Sequence, residues 1–296
     1  MLSNVKSVYL NGLEGYTVQV QVDVSGGIPE FNIVGLPDTS IKESKERVST
    51  AIKNSGLEFE SKKIVVNLAP ADMRKEGSSL DLSIAVGTLI STKQFKSKKN
   101  LSRIAFVGEL SLDGSINSVK GILPICIEAK KIGFEEIIIP KSNEKETAIV
   151  DGIEIKCARN LKQVIEYLSG VSTIDSYKAN WSDIAMEKQQ YNIDFSEVKG
   201  QENAKRGLEI AAAGGHNCLL IGSPGTGKTM LAQRLITILP DLSYDESLEI
   251  TKIYSVAGIL DEKQPIITKR PFRSPHHSIS STALIGGGRI PKPRRN

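Results

Sequence analysis

The run Gly222, Ser223, Pro224, Gly225, Thr226, Gly227, Lys228, Thr229 constrains this chain more than any other, because it meets every fixed position of the pattern G-x-x-x-x-G-K-[ST]. The glycines let backbone N–H groups turn inward around a β-phosphate. Lys228 sets a point charge on β/γ oxygens, and Thr229 offers a hydroxyl to Mg²⁺. A helix beginning near Gly227 adds its positive end to the same place. Such a loop joins a strand to a helix, and the flanks agree. Cys218-Leu-Leu-Ile221 is predicted as a short buried strand, and Lys228 to Leu239 as a helix with Leu231, Leu235 and Ile238 on one face, ended by Pro240. The expectation is an α/β fold that takes a nucleoside triphosphate with Mg²⁺.

With 296 residues there is room for about two domains, each with its own core. From Ser7 to Val24 the pattern is strand-like, with Val18, Val20, Val22 and Val24 alternating against Gln19, Gln21 and Asp23; Gly26-Gly27 makes the following turn. Phe31 to Val34 is a second apolar stretch. Asp38 to Ser55 has helical spacing through Ile41, Val48 and Ile52, with Gly56 as the C-cap. Ile64 to Asn67 reads as a strand, Leu80 to Ile90 as a helix apolar nearly all round and hence buried, and Ala105 to Val107 and Ile137 to Ile139 as strands around a helix from about Leu123 to Ile132. After Gly170 comes a polar stretch, Ser172 to Gln190, which reads either as a linker or as a surface helix from Trp181. The boundaries are therefore set at 1–170 for an N-terminal α/β domain, 171–193 for the linker and 194–296 for the nucleotide domain. Ser243-x-x-Glu246 is a capping box for a helix running to Gly258.

A net charge of +4 is too small to announce nucleic-acid binding, and much of the excess sits in Arg289, Lys292, Arg294 and Arg295. Cys126, Cys157 and Cys218 show no C-x-x-C spacing, which argues against a zinc site or a disulfide framework. No apolar run reaches the roughly 18 residues needed to cross a bilayer, and Met1 to Leu10 lacks the core of a signal peptide. These features together lead to the expectation of a cytoplasmic protein with no membrane partner.

Longer runs carry a family resemblance. Phe195-Ser-Glu-Val-Lys-Gly-Gln-Glu202 followed by Ala204 to Asn217 resembles the opening of an AAA+ module, most closely the magnesium-chelatase-like ATPases of the ComM (YifB) type. Arg270-Pro-Phe-Arg-Ser-Pro-His-His-Ser-Ile-Ser280 with Gly286-Gly-Gly288 is similar to the insert of that family. Ala69 to Gly77 and Gly108 to Gly114 are similar to its N-terminal domain, which is in turn similar to the proteolytic domain of Lon-type proteases. The resemblance implies ATP and Mg²⁺ as cofactors, with Val198 and Gly200 against the adenine. It implies a homo-oligomeric ring, a hexamer in relatives, acting as an ATP-driven DNA motor that promotes branch migration during natural transformation. Two alternatives stay open. One is a magnesium-chelatase subunit that inserts Mg²⁺ into a porphyrin. The other is a non-enzymatic module docking DNA or partners through Lys42, Lys45, Arg47, Lys62 and Lys63.

The resemblance also marks what is missing. Lon-type peptidases use a Ser nucleophile with a Lys. Here Leu123 stands at the lysine position, while Ser78 or Ser79 falls near the nucleophile, so no peptidase activity is expected and no catalytic residue is assigned. His276 and His277 are adjacent and point to opposite faces of an extended segment, which disfavours a shared metal ion. The family's Mg²⁺-binding strand ends in Asp-Glu beyond the insert, and its arginine finger follows later; neither occurs before Asn296. Ile259-Leu-Asp-Glu262 follows a helix end and is rejected as that strand. Arg294-Arg-Asn296 replaces the family's Gly-Glu-Ile-Ser as one extra base would make it, so the sequence reads as truncated within the AAA+ core. The expectation is nucleotide contact without efficient hydrolysis.

Overall fold

Side chains alternate across a strand, so Val18, Val20, Val22 and Val24 must share one face. In the computed structural model, which describes residues 2–179, 181, 191–261 and 265–275, that face is buried. The expected stretch from Ser7 to Val24 divides into β1 (Leu2–Asn11) and β2 (Glu14–Ser25), an antiparallel hairpin in register from Leu2 opposite Asp23 to Asn11 opposite Glu14. Gly12, at φ +68°, makes the reversal. Then follow β3 (Glu30–Val34), α1 (Thr39–Asn54), β4 (Lys63–Ala69) and α2 (Asp81–Ser91). Asp38 caps α1 by accepting Ile41 N at 2.8 Å, and Ile41, Val48 and Ile52 are buried at the expected spacing.

The remainder of this half comprises β5 (Ile104–Phe106), β6 (Glu109–Leu110), β7 (Ile116–Asn117), α3 (Ile122–Ile132), β8 (Glu136–Pro140), α4 (Glu144–Thr147), β9 (Glu154–Ala158) and α5 (Leu161–Leu168). Seven strands form one mixed sheet in the order β3-β4-β2-β1-β5-β8-β9, and β6 pairs with β7 apart from it. Alternation distributes two cores. Ile104, Phe106 and Ile138 face α1, α2 and α5, while Ala105, Val107, Ile137 and Ile139 face α3 on the other side. Each such aliphatic residue contributes about 1.5–3 kcal/mol on full burial, which is why a sheet with helices on both faces is the stable arrangement.

The second half contains α6 (Glu202–Gly214), α7 (Lys228–Arg234) and α8 (Tyr244–Ala257). Phe195, Val198, Leu208 and Leu231 form its small core, against which Leu235 and Ile238 pack. The apolar face expected of Lys228 to Leu239 is thus present, although the α-helix ends at Arg234 and a 3-10 turn, Leu235–Thr237, completes it. The capping box forms as expected, with Glu246 N donating to Ser243 Oγ at 3.3 Å and Ser243 N to Glu246 Oε2 at 2.9 Å. One expectation is corrected. Cys218 to Ile221 lies in no strand of the described sheets, and Leu219 and Ile221 are 83% and 87% exposed. An apolar run becomes a buried strand only beside a partner ladder, and none lies next to it among the described residues.

Helix α8 packs back on the N-terminal half. Leu248 lies against the α3-side core, and Tyr244 donates its hydroxyl to Ile149 O at 3.1 Å while its ring meets Trp181 edge-on at 5.5 Å. The expected helix from Trp181 to Gln190, the pair His276 and His277, the segment Gly286 to Gly288 and the basic C-terminal run lie outside the described residues, Trp181 excepted.

Candidate nucleotide-binding site

The loop Gly222 to Thr229 is shaped by its own chemistry. Gly225 and Gly227 both have φ +82°, a backbone conformation that residues with a Cβ avoid, and an added Cβ on either would meet nothing within 4 Å. Both turns are therefore set by backbone conformation and face open space. Lys228 Nζ donates to Gly222 O at 2.8 Å and Ser223 O at 2.7 Å, which folds the ammonium over the loop. Thr226 Oγ1 donates to Ser223 O at 2.9 Å and narrows the turn around Pro224. Gly227 is the N-cap of α7, so Lys228 and Thr229 occupy its first turn, with Thr229 exposed.

The segment carrying Val198 and Gly200 is brought to the same place. Val198 is buried in the small core with Leu231 of α7, and Glu197 pairs with Arg234 through Arg234 Nε at 2.9 Å. Phe195 N donates to Thr237 Oγ1 at 3.1 Å. Gly200 turns the chain at φ +66°, after which Gln201 reaches the loop, Nε2 to Thr226 O at 3.4 Å. Sequence reasoning missed Gln201, Glu197 and Arg234. The opposite charges of Glu197 and Arg234 were visible, but only the packing of Val198 on Leu231 brings them together.

In the N-terminal half a cavity of about 800 Å³ opens beside Tyr9, Tyr16, Ser78, Ser79, Glu109 and Lys120. Ser78 donates to Glu109, a carboxylate, and not to an amine. Leu123, at the position a peptidase gives to lysine, is wholly buried in the α3-side core. Lys75, within the Ala69 to Gly77 run, is also wholly buried, donating to Leu68 O at 3.2 Å, Gly35 O at 3.4 Å and Pro70 O; burial holds its ammonium pKa below the usual lysine value. Burial likewise pushes the Tyr16 phenol up to about 12. The basic surface proposed for DNA loses a member, because Arg47 is committed to Asp81, Nε to Oδ2 at 2.7 Å, and this pairing raises its pKa further. Lys45 and Lys62 pair with Glu46 and Glu60. Among the described residues no group of three or more His, Cys, Asp or Glu could hold a metal ion, and no helix is long and apolar enough to cross a membrane.

Comparison with known proteins meets this geometry. Residues 20–143 match the family profile described as subunit ChlI of Mg-chelatase, and residues 194–295 match that of magnesium chelatase, subunit ChlI. The chain is 46% identical to YifB of Escherichia coli over 282 residues, 95% of this chain and 54% of that protein. It is 40% identical to the competence protein ComM of Haemophilus influenzae over 287 residues, 95% of this chain and 55% of the relative. Lon protease 2 of Bacillus subtilis is 27% identical over 147 residues, 47% of this chain. The chain thus spans about half the length of YifB and ComM.

Proposed function

The chain belongs to the magnesium-chelatase ChlI family, in the branch that holds YifB and ComM, and on that premise we propose that Gly222 to Thr229 binds ATP with Mg²⁺. The observation that carries the reading is the loop itself, an open backbone turn at Gly225 and Gly227 with the Lys228 ammonium folded over it. Lys228 exchanges its two carbonyl partners for β/γ-phosphate oxygens, a stronger, charge-assisted pairing. Thr229 supplies the hydroxyl for Mg²⁺, and Val198 and Gly200 flank the base. Bound Mg²⁺ neutralises charge on the β- and γ-oxygens.

By family membership the proposed role is that of an ATP-driven, ring-forming motor acting on DNA, at work during uptake of DNA by competent cells, inside the cytoplasm. For residues 1–296 alone, binding is expected to exceed turnover. Hydrolysis needs one carboxylate to hold Mg²⁺ and another to orient water. Of the Asp-Glu pairs downstream of the loop, Asp245-Glu246 sits in the first turn of α8, where Glu246 is used by the capping box. Asp261 follows the end of α8, which closes when Gly258 N donates to Ser255 O at 3.0 Å and Ile259 N to Tyr254 O at 3.1 Å. The domain division 1–170, 171–193 and 194–296 is kept as a working proposal, with α8 as the helix of the last part that packs on the first. Titration of fluorescent ATP with Mg²⁺ into the chain and into Lys228→Ala, with phosphate release followed with and without DNA, tests the reading. Tight binding lost in Lys228→Ala supports it, and equal binding by both removes it.

A further inference from the structure

The cavity of the N-terminal half is lined on one side by a residue from far along the chain, Val256 of α8. What holds α8 there is a small polar joint. Gly121 N donates to Ser255 O at 3.1 Å, and the Ser255 hydroxyl donates to Glu146 Oε1. The same Oε1 accepts Leu123 N at 3.2 Å, while Oε2 accepts Asn143 Nδ2 at 3.3 Å. Asn143 in turn grips Val119 from both sides, accepting its N–H at 2.9 Å and donating to its carbonyl at 3.1 Å. The Glu146 carboxylate therefore joins three pieces at once: the first turn of α3, the turn before α4, and α8. At the far end of the contact, the Lys120 stem lies 2.7 Å from where a Cβ on Gly258 would fall, and Gly258 stands at φ +66°, the left-handed conformation that favours glycine at a helix end. Two of the residues touched by α8, Lys120 and Gly121, line the cavity themselves.

We infer that Glu146 is a latch and α8 a gate: held through Ser255, α8 closes the cavity beside Ser78 and Ser79, and released, it opens it. The polar character of the joint supports a reversible contact. Beside the apolar contacts of Leu248 and Val256 and the Tyr244 ring on Trp181, the described interface is held by discrete hydrogen bonds, Ser255 to Glu146, Gly121 N to Ser255 O and Tyr244 to Ile149 O, and a partly polar contact of this kind undocks more readily than a continuous apolar core. Burial raises the Glu146 pKa, the condition of a carboxyl withdrawn from water by the docked helix. No atom of the loop Gly222 to Thr229 takes part in the joint.

The test uses the full chain with Cys218→Ser, which removes the exposed thiol, and Ser79→Cys as a reporter inside the cavity. Hydrogen exchange of the α8 amides and the labelling rate of that thiol are measured in this background and with Ser255→Ala, Glu146→Ala or Glu146→Gln added. Loss of a hydrogen bond to a carboxyl group should raise both rates about tenfold or more in Ser255→Ala and Glu146→Ala, leaving exchange in β1 and β2 unchanged. Glu146→Gln, which keeps an acceptor for Ser255, should stay near the parent. Should Glu146→Ala not fold, Ser255→Ala carries the test alone. Faster α8 exchange without faster labelling would overturn the gate, and unchanged exchange in Ser255→Ala would overturn the latch.

Discussion

Asp81 at the start of α2 offers the sharpest energetic test of the N-terminal half. Its carboxylate is wholly buried and accepts from Arg47 Nε at 2.7 Å, Arg47 Nη2 at 3.1 Å, Leu110 N at 3.3 Å and the Ser44 hydroxyl. One side chain thus links α1, α2 and β6. Asp81→Ala leaves the Arg47 guanidinium, whose side chain is 21% exposed, without its counter-charge, and strands two further donors. Breaking a buried pair on one side costs about 3–5 kcal/mol. Arg47→Met should cost a similar amount, because Asp81 is then the unpaired charge. Removing both together should cost far less than the sum, since replacing a buried pair by apolar groups is often nearly neutral. Urea unfolding followed by far-UV circular dichroism, on Asp81→Ala, on Arg47→Met and on the variant that combines the two, measures the cycle. Single losses below about 1 kcal/mol, or losses additive within about 0.5 kcal/mol, would refute the account of this site. They would also return Arg47 to the list of side chains free to meet DNA.

Two further outcomes follow from buried titrating groups. The Glu146 carboxyl faces the Ser255 hydroxyl, Asn143 amide and Leu123 N–H, with the Cys126 thiol nearby, and burial raises its folded pKa above 4.5. A raised folded pKa means that the folded state binds the proton more tightly. Its contribution is therefore fully present below about 4.5 and is lost as pH rises through the folded value. Wild type should accordingly lose stability relative to Glu146→Gln over that window, as paired urea titrations at pH 4 and pH 7 would show; an unchanged difference would contradict it. Of the three thiols, Cys218 is exposed, Cys126 is fully buried with its pKa raised by burial, and Cys157 is pushed up to about 12. A disulfide reagent at pH 8 should therefore modify one thiol in the native chain and three in denaturant. Prompt reaction of a second native thiol would show that the α3-side core is open.

Local signals in the sequence were legible to the residue. The capping box at Ser243 and Glu246, the helical spacing of Ile41, Val48 and Ile52 in α1, the Gly258 stop and the alternating valines of β2 each depend on neighbours a few positions away, and each is found in place. The loop around Lys228 belongs with them, because its conformation is written in its own glycines. The β1–β2 reversal lies inside the strand-like stretch, where Asn11-Gly12 is the local signal that marks it. Features set by distant partners were not legible. Cys218 to Ile221 has the composition of a buried strand, yet burial depends on a ladder that composition does not supply. Lys75, which stands in the run Ala69 to Gly77 with no role of its own legible, is wholly buried, with the carbonyls of Gly35, Leu68 and Pro70 converging on it. The docking of α8 through Glu146 and Ser255 joins residues more than a hundred positions apart and has no periodic signature at all.

The central claim is that the loop closing on Lys228 binds a nucleoside triphosphate by its phosphates. Equilibrium titration of ATP with Mg²⁺ into the chain and into Lys228→Ala measures that most directly. The account predicts saturable binding, weakened by about ten- to a hundredfold in the variant, the range expected for a lost charge-assisted hydrogen bond. Affinity unchanged by Lys228→Ala, or no binding by the parent chain, would contradict it.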